Sequence, residues 1–182
     1  RYVSSIENPN RRFFTMLGAL VRGRICIGGG AAISARRALS IAVRYAERRT
    51  QFRHPNSDDE SPLLDYLAHQ RKLLPAIARA YALGFAQNEL IDSYGTVSSA
   101  ADHDPRAQRA LETLAAGLKV LNTDFANATI QTCREACGGA GYMSENQLTQ
   151  LRADTDVFAT FEGDNTVLLQ LVAKGVLTDY RD

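Results

Sequence analysis

Apolar residues recur with a helical period in four stretches of the chain. Over residues 25–49, Leu39, Ala42, Val43 and Ala46 fall at i, i+3, i+4 and i+7 while Arg37, Arg44 and Arg48 lie on the other side, which predicts an amphipathic helix. The polar run over 53–60 has no period and carries Pro55, Asn56, Ser57 and two aspartates, so it reads as a loop. Ser61 then reads as an N-cap and Pro62 as the first residue of a second helix. That helix carries Leu67, Gln70, Leu74, Ile77, Ala78, Tyr81, Ala82 and Phe85 on one stripe, which is expected to face a core, and the interior Pro75 is expected to kink it. After a loop over 94–103, Asp104 and Pro105 repeat the cap-then-proline signal. The third helix keeps its period through Leu111, Leu114, Ala115, Leu118, Leu121, Phe125, Ala128 and Thr132. A last helix is predicted over 166–177, where Val167, Leu168 and Leu169 are apolar on too many sides for a surface helix and are expected to be buried.

Four helical patterns without strand alternation or repeats imply an all-α fold, an antiparallel four-helix bundle spanning 1–182 as a single domain. The connection over 137–160 is longer than the roughly 12 to 15 residues usual for a structureless loop. It is expected to pack on one end of the bundle and to be functional. The chain opens at Arg1 without an export segment, so it is expected to be part of a longer polypeptide.

Composition narrows the partners. With 45% hydrophobic residues among 182, one sizeable core is expected, burying roughly 70% of the unfolded chain's surface. Lys and Arg number 21 against 20 acidic residues, which leaves no basic stripe for nucleic acid. Arg22, Arg24 and Arg44 interrupt the longest apolar runs, so no membrane span is expected. Three cysteines, Cys26, Cys133 and Cys137, do not make a secreted disulfide framework and fit a reducing cytoplasm.

Four local features could carry chemistry. Gly28-Gly29-Gly30 lacks the phosphate-loop pattern, and close helix packing is the better account. Cys133 and Cys137 share a helix face, but His54, His69 and His103 stand in no ligand pattern beside them, so buried packing thiols are expected rather than a metal site. Cys137-Gly138-Gly139-Ala140-Gly141-Tyr142 supplies a left-handed helix end, and its three glycines also suit a close backbone approach by a ligand. In Thr160-Phe161-Glu162-Gly163-Asp164-Asn165-Thr166, an acid between an aromatic and a glycine is either a helix-dipole partner or a general base. The residues alone leave those two readings even.

Taken in order and spacing, Tyr45-Ala46-Glu47-Arg48-Arg49-Thr50-Gln51-Phe52, His69-Gln70, the Cys137 to Tyr142 motif and Phe161-Glu162-Gly163-Asp164-Asn165-Thr166-Val167 resemble the acyl-CoA dehydrogenase and oxidase superfamily. The resemblance covers essentially the whole chain and is to the C-terminal helical domain of those flavoenzymes. It implies that Glu162 is the base that removes the α-proton of a fatty acyl-CoA while a hydride leaves the β-carbon for FAD, giving a trans-2-enoyl-CoA. It implies substrate contact at Gly163. FAD contacts are implied at Arg49, Gln51, Phe52, His69, Gln70, Gly138, Gly139, Asp164 and Asn165. Arg49 would serve the FAD pyrophosphate of a partner subunit, so a homo-oligomer is implied. The Asp164-Asn165-Thr166-Val167 run looks more like the acyl-CoA oxidases, which return electrons to oxygen, and so implies a peroxisome in a eukaryote. Arg53 and Leu67 depart from the family's usual glycine and glutamine. Two rivals stay open: a dehydrogenase that passes electrons to an electron-transfer flavoprotein, and a helical assembly module without chemistry.

Overall fold

A computed structural model describes residues 3–10, 12, 16, 19–54, 56–102 and 104–181, which leaves Pro55 and His103 outside the described residues. Its elements are α1 (Leu20–Arg48), β1 (Thr50–Arg53), β2 (Glu60–Pro62), α2 (Leu67–Ser99), α3 (Pro105–Ala136), α4 (Leu148–Asp156) and α5 (Asn165–Arg181). Single turns of 3₁₀ helix cover Leu63–Asp65, Gly138–Tyr142, Ser144–Asn146 and Val157–Ala159.

Glycine and alanine line the buried side of α1, at Gly28, Ala31, Ala32, Ala35, Ala38, Ala42 and Ala46. Without bulky side chains, α1 and α3 come together closely: a Cβ built on Gly28 would lie 3.5 Å from the Cα of Lys119. The glycine run is thus a packing device. Side-chain pairs fix the helix directions. Gly28 meets Lys119 and Asn122, while Ile41 and Tyr45 share a groove with Cys137, so α1 and α3 run parallel. Gln87 of α2 donates to the Ile25 carbonyl at 2.9 Å and the Arg79 guanidinium sits 5.3 Å over the Phe125 ring, so α2 runs the other way. Gly117 faces Val172 and Gly175 abuts Thr113, which makes α5 antiparallel to α3. The result is the expected up-down-up-down bundle of four long helices, with α4 as an added short one.

α3 packs on every other long helix, and its Asp104 cap forms as read: the side chain accepts from the Arg106 N–H at 2.8 Å, with Pro105 at the first position. The core has three parts. The largest joins α1, α2, the C-terminal half of α3 and Leu148 of α4; a second gathers Val21, Ile25, Leu90 and Leu111; a third sets Leu168 against Ala116 and Val120.

Five expectations from the pattern are corrected. Ser61 and Pro62 do not start a helix: they form β2, paired antiparallel with β1, and α2 begins only at Leu67. β1 is mostly exposed, and β2 has three residues of which only the polar Ser61 is buried, so no apolar alternation betrayed them. α2 also runs unbroken past Tyr94 to Ser99, where the Thr96 and Ser99 hydroxyls bond back to carbonyls of their own helix. The expected core stripe of α2 points outward, with Leu67, Leu74, Tyr81 and Phe85 more than half exposed; Leu73, Ala80, Leu83, Gln87 and Leu90 are the buried set. The period was right and the phase was one residue off, because α2 is apolar on two faces. In α5 only Leu168 is buried, while Val167 and Leu169 are exposed. On α3, Leu114, Leu121 and Ala128 of the expected stripe also face out.

The connection over 137–160 is neither structureless nor confined to one end. α3 ends at Ala136, whereas α5 restarts beside Lys119, so at about 1.5 Å per residue the chain must return roughly 27 Å along the bundle. α4 and the 3₁₀ turns make that return, packing on α1 and α3.

Within the glycine motif, Gly138 takes φ +55° as a left-handed helix end. A Cβ on Gly139 would meet nothing within 4 Å, whereas one on Gly141 would overlap the Arg134 carbonyl. Gly141→Ala is therefore expected to lower unfolding stability by about 1–3 kcal/mol, as overpacking does, and Gly139→Ala to leave it nearly unchanged. Parallel urea denaturations of the two variants check this.

Candidate functional site

The residues singled out in the sequence form two groups at opposite ends of α1. The first is the turn 160–165 that leads into α5. Asp164 caps α5, accepting from the N–H groups of Thr166 at 2.9 Å and Val167 at 3.4 Å. Immediately before it, Glu162 has φ +56° and Gly163 φ +110°. A left-handed glutamate is uncommon, since its Cβ crowds the carbonyl that follows. At Gly163 the packing itself calls for glycine, because a Cβ would lie 2.9 Å from Leu168 Cδ2.

This unusual backbone turns the Glu162 side chain inward against α1, where the carboxylate rests on Gly23. Any Cβ at position 23 would overlap both carboxylate oxygens. One of them, Oε2, is buried and has no hydrogen-bond partner among the described residues. Buried carboxylate oxygens are normally paired, so an unpaired one singles this side chain out as a candidate functional group.

Two cations flank the turn. Arg24, largely buried, donates from Nε to the Glu162 carbonyl at 3.3 Å. Burial lowers its pKa, against which the charges of Glu112 and Glu162 raise it. From α3, the wholly buried Lys119 reaches the same turn, and Asn165 donates to Thr123 Oγ1 at 3.0 Å and to Asp124 Oδ1 at 2.7 Å. Gly23, Arg24 and Lys119 were missed in the sequence. A lone helical glycine and single basic residues in helices carry no signal until the fold sets them beside Glu162.

The second group surrounds the C-terminal end of α1. Arg49 follows α1 directly, and its carbonyl accepts from the Leu63 N–H at 2.8 Å, which ties the hairpin back under the helix. Gln51 and Phe52 are exposed on β1 and held from α2's entry: the Tyr66 hydroxyl donates to the Gln51 carbonyl at 2.7 Å, and the Phe52 and Tyr66 rings meet edge to face at 6.4 Å. Gln70 donates to the Leu64 carbonyl at 2.9 Å. His69 Nε2 is buried without a partner among the described residues, and burial followed by the Lys72 charge lowers the pKa of the ring. Arg44, Arg48 and Arg49 line a groove with Tyr45, Cys137 and Asn146, beside the open backbone of Gly138 and Gly139. Cys133 and Cys137 are buried; burial, then Cys137, push the Cys133 thiol up to about 12, which suits packing and not reactivity.

A sequence profile described as the acyl-CoA oxidase C-alpha1 domain matches residues 17–177. The chain belongs to the acyl-CoA oxidase family. It is 42% identical over 180 residues to peroxisomal acyl-coenzyme A oxidase 3 of Arabidopsis thaliana, covering 99% of this chain and 26% of that protein. Among solved structures, acyl-CoA oxidase 1 of Yarrowia lipolytica superposes with a TM-score of 0.82 at 33% identity, over 88% of this chain and 26% of that one. Acyl-CoA oxidase 1 of Caenorhabditis elegans, solved with FAD and ATP, superposes with a TM-score of 0.80 at 32% identity, over 85% of this chain and 24% of that one. The chain thus spans about a quarter of the length of these relatives. Among the described residues no helix is long and apolar enough to cross a membrane.

Gly23→Ala is expected to keep the fold, because alanine favours a helix over glycine by about 1 kcal/mol and the clash falls on the movable end of a side chain. It should instead displace the Glu162 carboxylate. An unchanged melting temperature with a shifted Glu162 rotamer in the variant's crystal structure is the expected result.

Proposed function

We propose that this chain is the base-bearing helical domain of an FAD-dependent acyl-CoA oxidase, and that Glu162 removes the α-proton of a fatty acyl-CoA. The observation that carries this reading is the buried, unpaired Oε2 on a residue held at positive φ. FAD, when bound, takes the hydride from the β-carbon and hands the electron pair to oxygen. Glu162 takes the proton at Oε2. Gly23 leaves room for the carboxylate, Asp164 ends the turn by capping α5, and the Gly163 backbone borders the thioester. Asn165, named with Asp164 as a cofactor contact, is engaged by Lys119, Thr123 and Asp124 and supports the turn as well.

The second group fits the cofactor. A dinucleotide pyrophosphate needs forked cations and bare backbone, and the groove provides Arg44, Arg48 and Arg49 beside Gly138 and Gly139. Gln51, Phe52, His69 and Gln70 would complete that surface. Gly23 and Arg49 are 26 helical positions apart, about 40 Å at 1.5 Å per residue. That separation supports the reading in which the Arg49 group serves the cofactor of a neighbouring subunit while Glu162 faces its own, as in a homo-oligomer. Relatives named as peroxisomal support that compartment for a eukaryotic source.

In the full-length enzyme, Glu162→Gln keeps volume and hydrogen-bonding reach but cannot accept a proton at neutral pH. It is expected to retain FAD and acyl-CoA and to slow anaerobic flavin reduction by at least about 10²- to 10⁴-fold, the usual contribution of a general base. Reduction at the wild-type rate would overturn the assignment. Admitting oxygen to the reduced wild-type enzyme tests the oxidase reading, for which rapid reoxidation with release of peroxide is expected.

Arg49→Ala is expected to weaken FAD retention by about 2 kcal/mol or more, as loss of one partner of a buried charge pair does, while leaving the helical fold intact. Flavin absorbance after gel filtration, beside far-ultraviolet circular dichroism, measures both.

A further inference from the structure

Lys119 is wholly buried, yet its ammonium is fully engaged. Nζ lies 2.7 Å from the Gly163 carbonyl, 2.8 Å from Asn165 Oδ1 and 3.2 Å from the Ala159 carbonyl. Three donors thus meet three acceptors, and those acceptors bracket Glu162 on both sides. Nothing else in the site explains why a lysine stands where a methionine or leucine would bury at lower cost.

We propose that Lys119 is a positioning residue for the Glu162 base: its ammonium pins the chain before and after Glu162 and so holds the left-handed backbone that aims the carboxylate at Gly23. A glutamate at positive φ is costly and persists only where its surroundings over-determine it. The surroundings here are Lys119, Thr123 and Asp124, all on α3, together with Arg24 on α1 gripping the Glu162 carbonyl. Burial lowers the Lys119 pKa, with the charge of Arg24 acting in the same direction, and the carboxylates of Asp164, Asp124 and Glu162 oppose that shift. A tetrahedral ammonium can converge on three oxygens from one point. A planar guanidinium cannot do so without moving the turn. The proposal rests on Glu162 being the base.

The test uses the full-length flavoenzyme carrying Lys119→Met or Lys119→Arg, with Glu162→Gln as control. Rapid-mixing flavin reduction is measured per bound flavin with ordinary and α-deuterated acyl-CoA, and substrate binding is measured separately. Misplacing a reacting group by ~1 Å costs up to about 100-fold. Lys119→Met is therefore expected to keep the dissociation constant for acyl-CoA within about twofold, to slow reduction per flavin by about 10- to 100-fold, and to raise the α-deuterium isotope effect as proton abstraction becomes limiting. Lys119→Arg retains charge and donors and should fold even if the methionine variant does not, with reduction slowed at least about threefold and the isotope effect raised. A wild-type rate and isotope effect in the arginine variant would overturn the proposal. So would a loss of activity that follows flavin content alone with the isotope effect unchanged, since that is what a merely structural lysine produces. If Glu162→Gln itself reduced flavin normally, the base assignment would fall instead, which keeps the two failures apart.

Discussion

A seam of glycine and alanine lets α1 and α3 lie against each other, and the remaining elements take their places from that contact. Gly28 brings the α1 backbone to the Cα of Lys119, and Ala31, Ala35, Ala38 and Ala42 continue the approach with no exposed surface at all. Small side chains bury little apolar area each, but they allow dispersion contacts between backbones that larger ones would hold apart. The cost is polar: so close an approach encloses Gln87, Asn122, Thr123 and Lys119. Most of that polarity is resolved internally, with Gln87 bonded to the Ile25 carbonyl and Asn122 bonded to Gln87.

The same contact makes the site. Because α1 and α3 are parallel and adjacent, the turn before α5 is caught between Gly23 and Arg24 on one side and Lys119 and Thr123 on the other. A glutamate on an unstrained loop would extend into solvent and pair with water. Here the backbone is forced into the left-handed region, and the carboxylate is delivered to a place where one oxygen has no partner among the described residues. The length of α1 then separates this acid from the arginines at its far end. That separation keeps the two groups from forming one pocket.

How much was legible in advance depended on whether a signal was local. Helix period, the Asp104-Pro105 start, the glycine helix end at Gly138 and the packing role of Gly28 all arise from neighbours in sequence, through backbone hydrogen bonding and steric allowance. They could be read directly. So could the acid and glycine at 162 and 163, because an ordered set of motifs in register pointed to them.

Which face of an apolar helix is buried is not local. α2 carries Leu73 and Leu74, Ala80 and Tyr81, in adjacent positions, and only contact with α1 and α3 selects the first of each pair. The hairpin of β1 and β2 was hidden for a related reason: it pairs Thr50 with Pro62 and Arg53 with Glu60 across the intervening loop, and β1 is mostly exposed, so no apolar alternation marks it. By itself the sequence determined the helical period, the Asp104 cap and the acid-glycine pair at 162 and 163, all of which depend on residues a few positions apart. Only the tertiary structure decided that Gly23, Arg24 and Lys119, about 40 to 140 positions from Glu162, would surround it, because a residue's electrostatic and steric environment is set by distance in space and not along the chain.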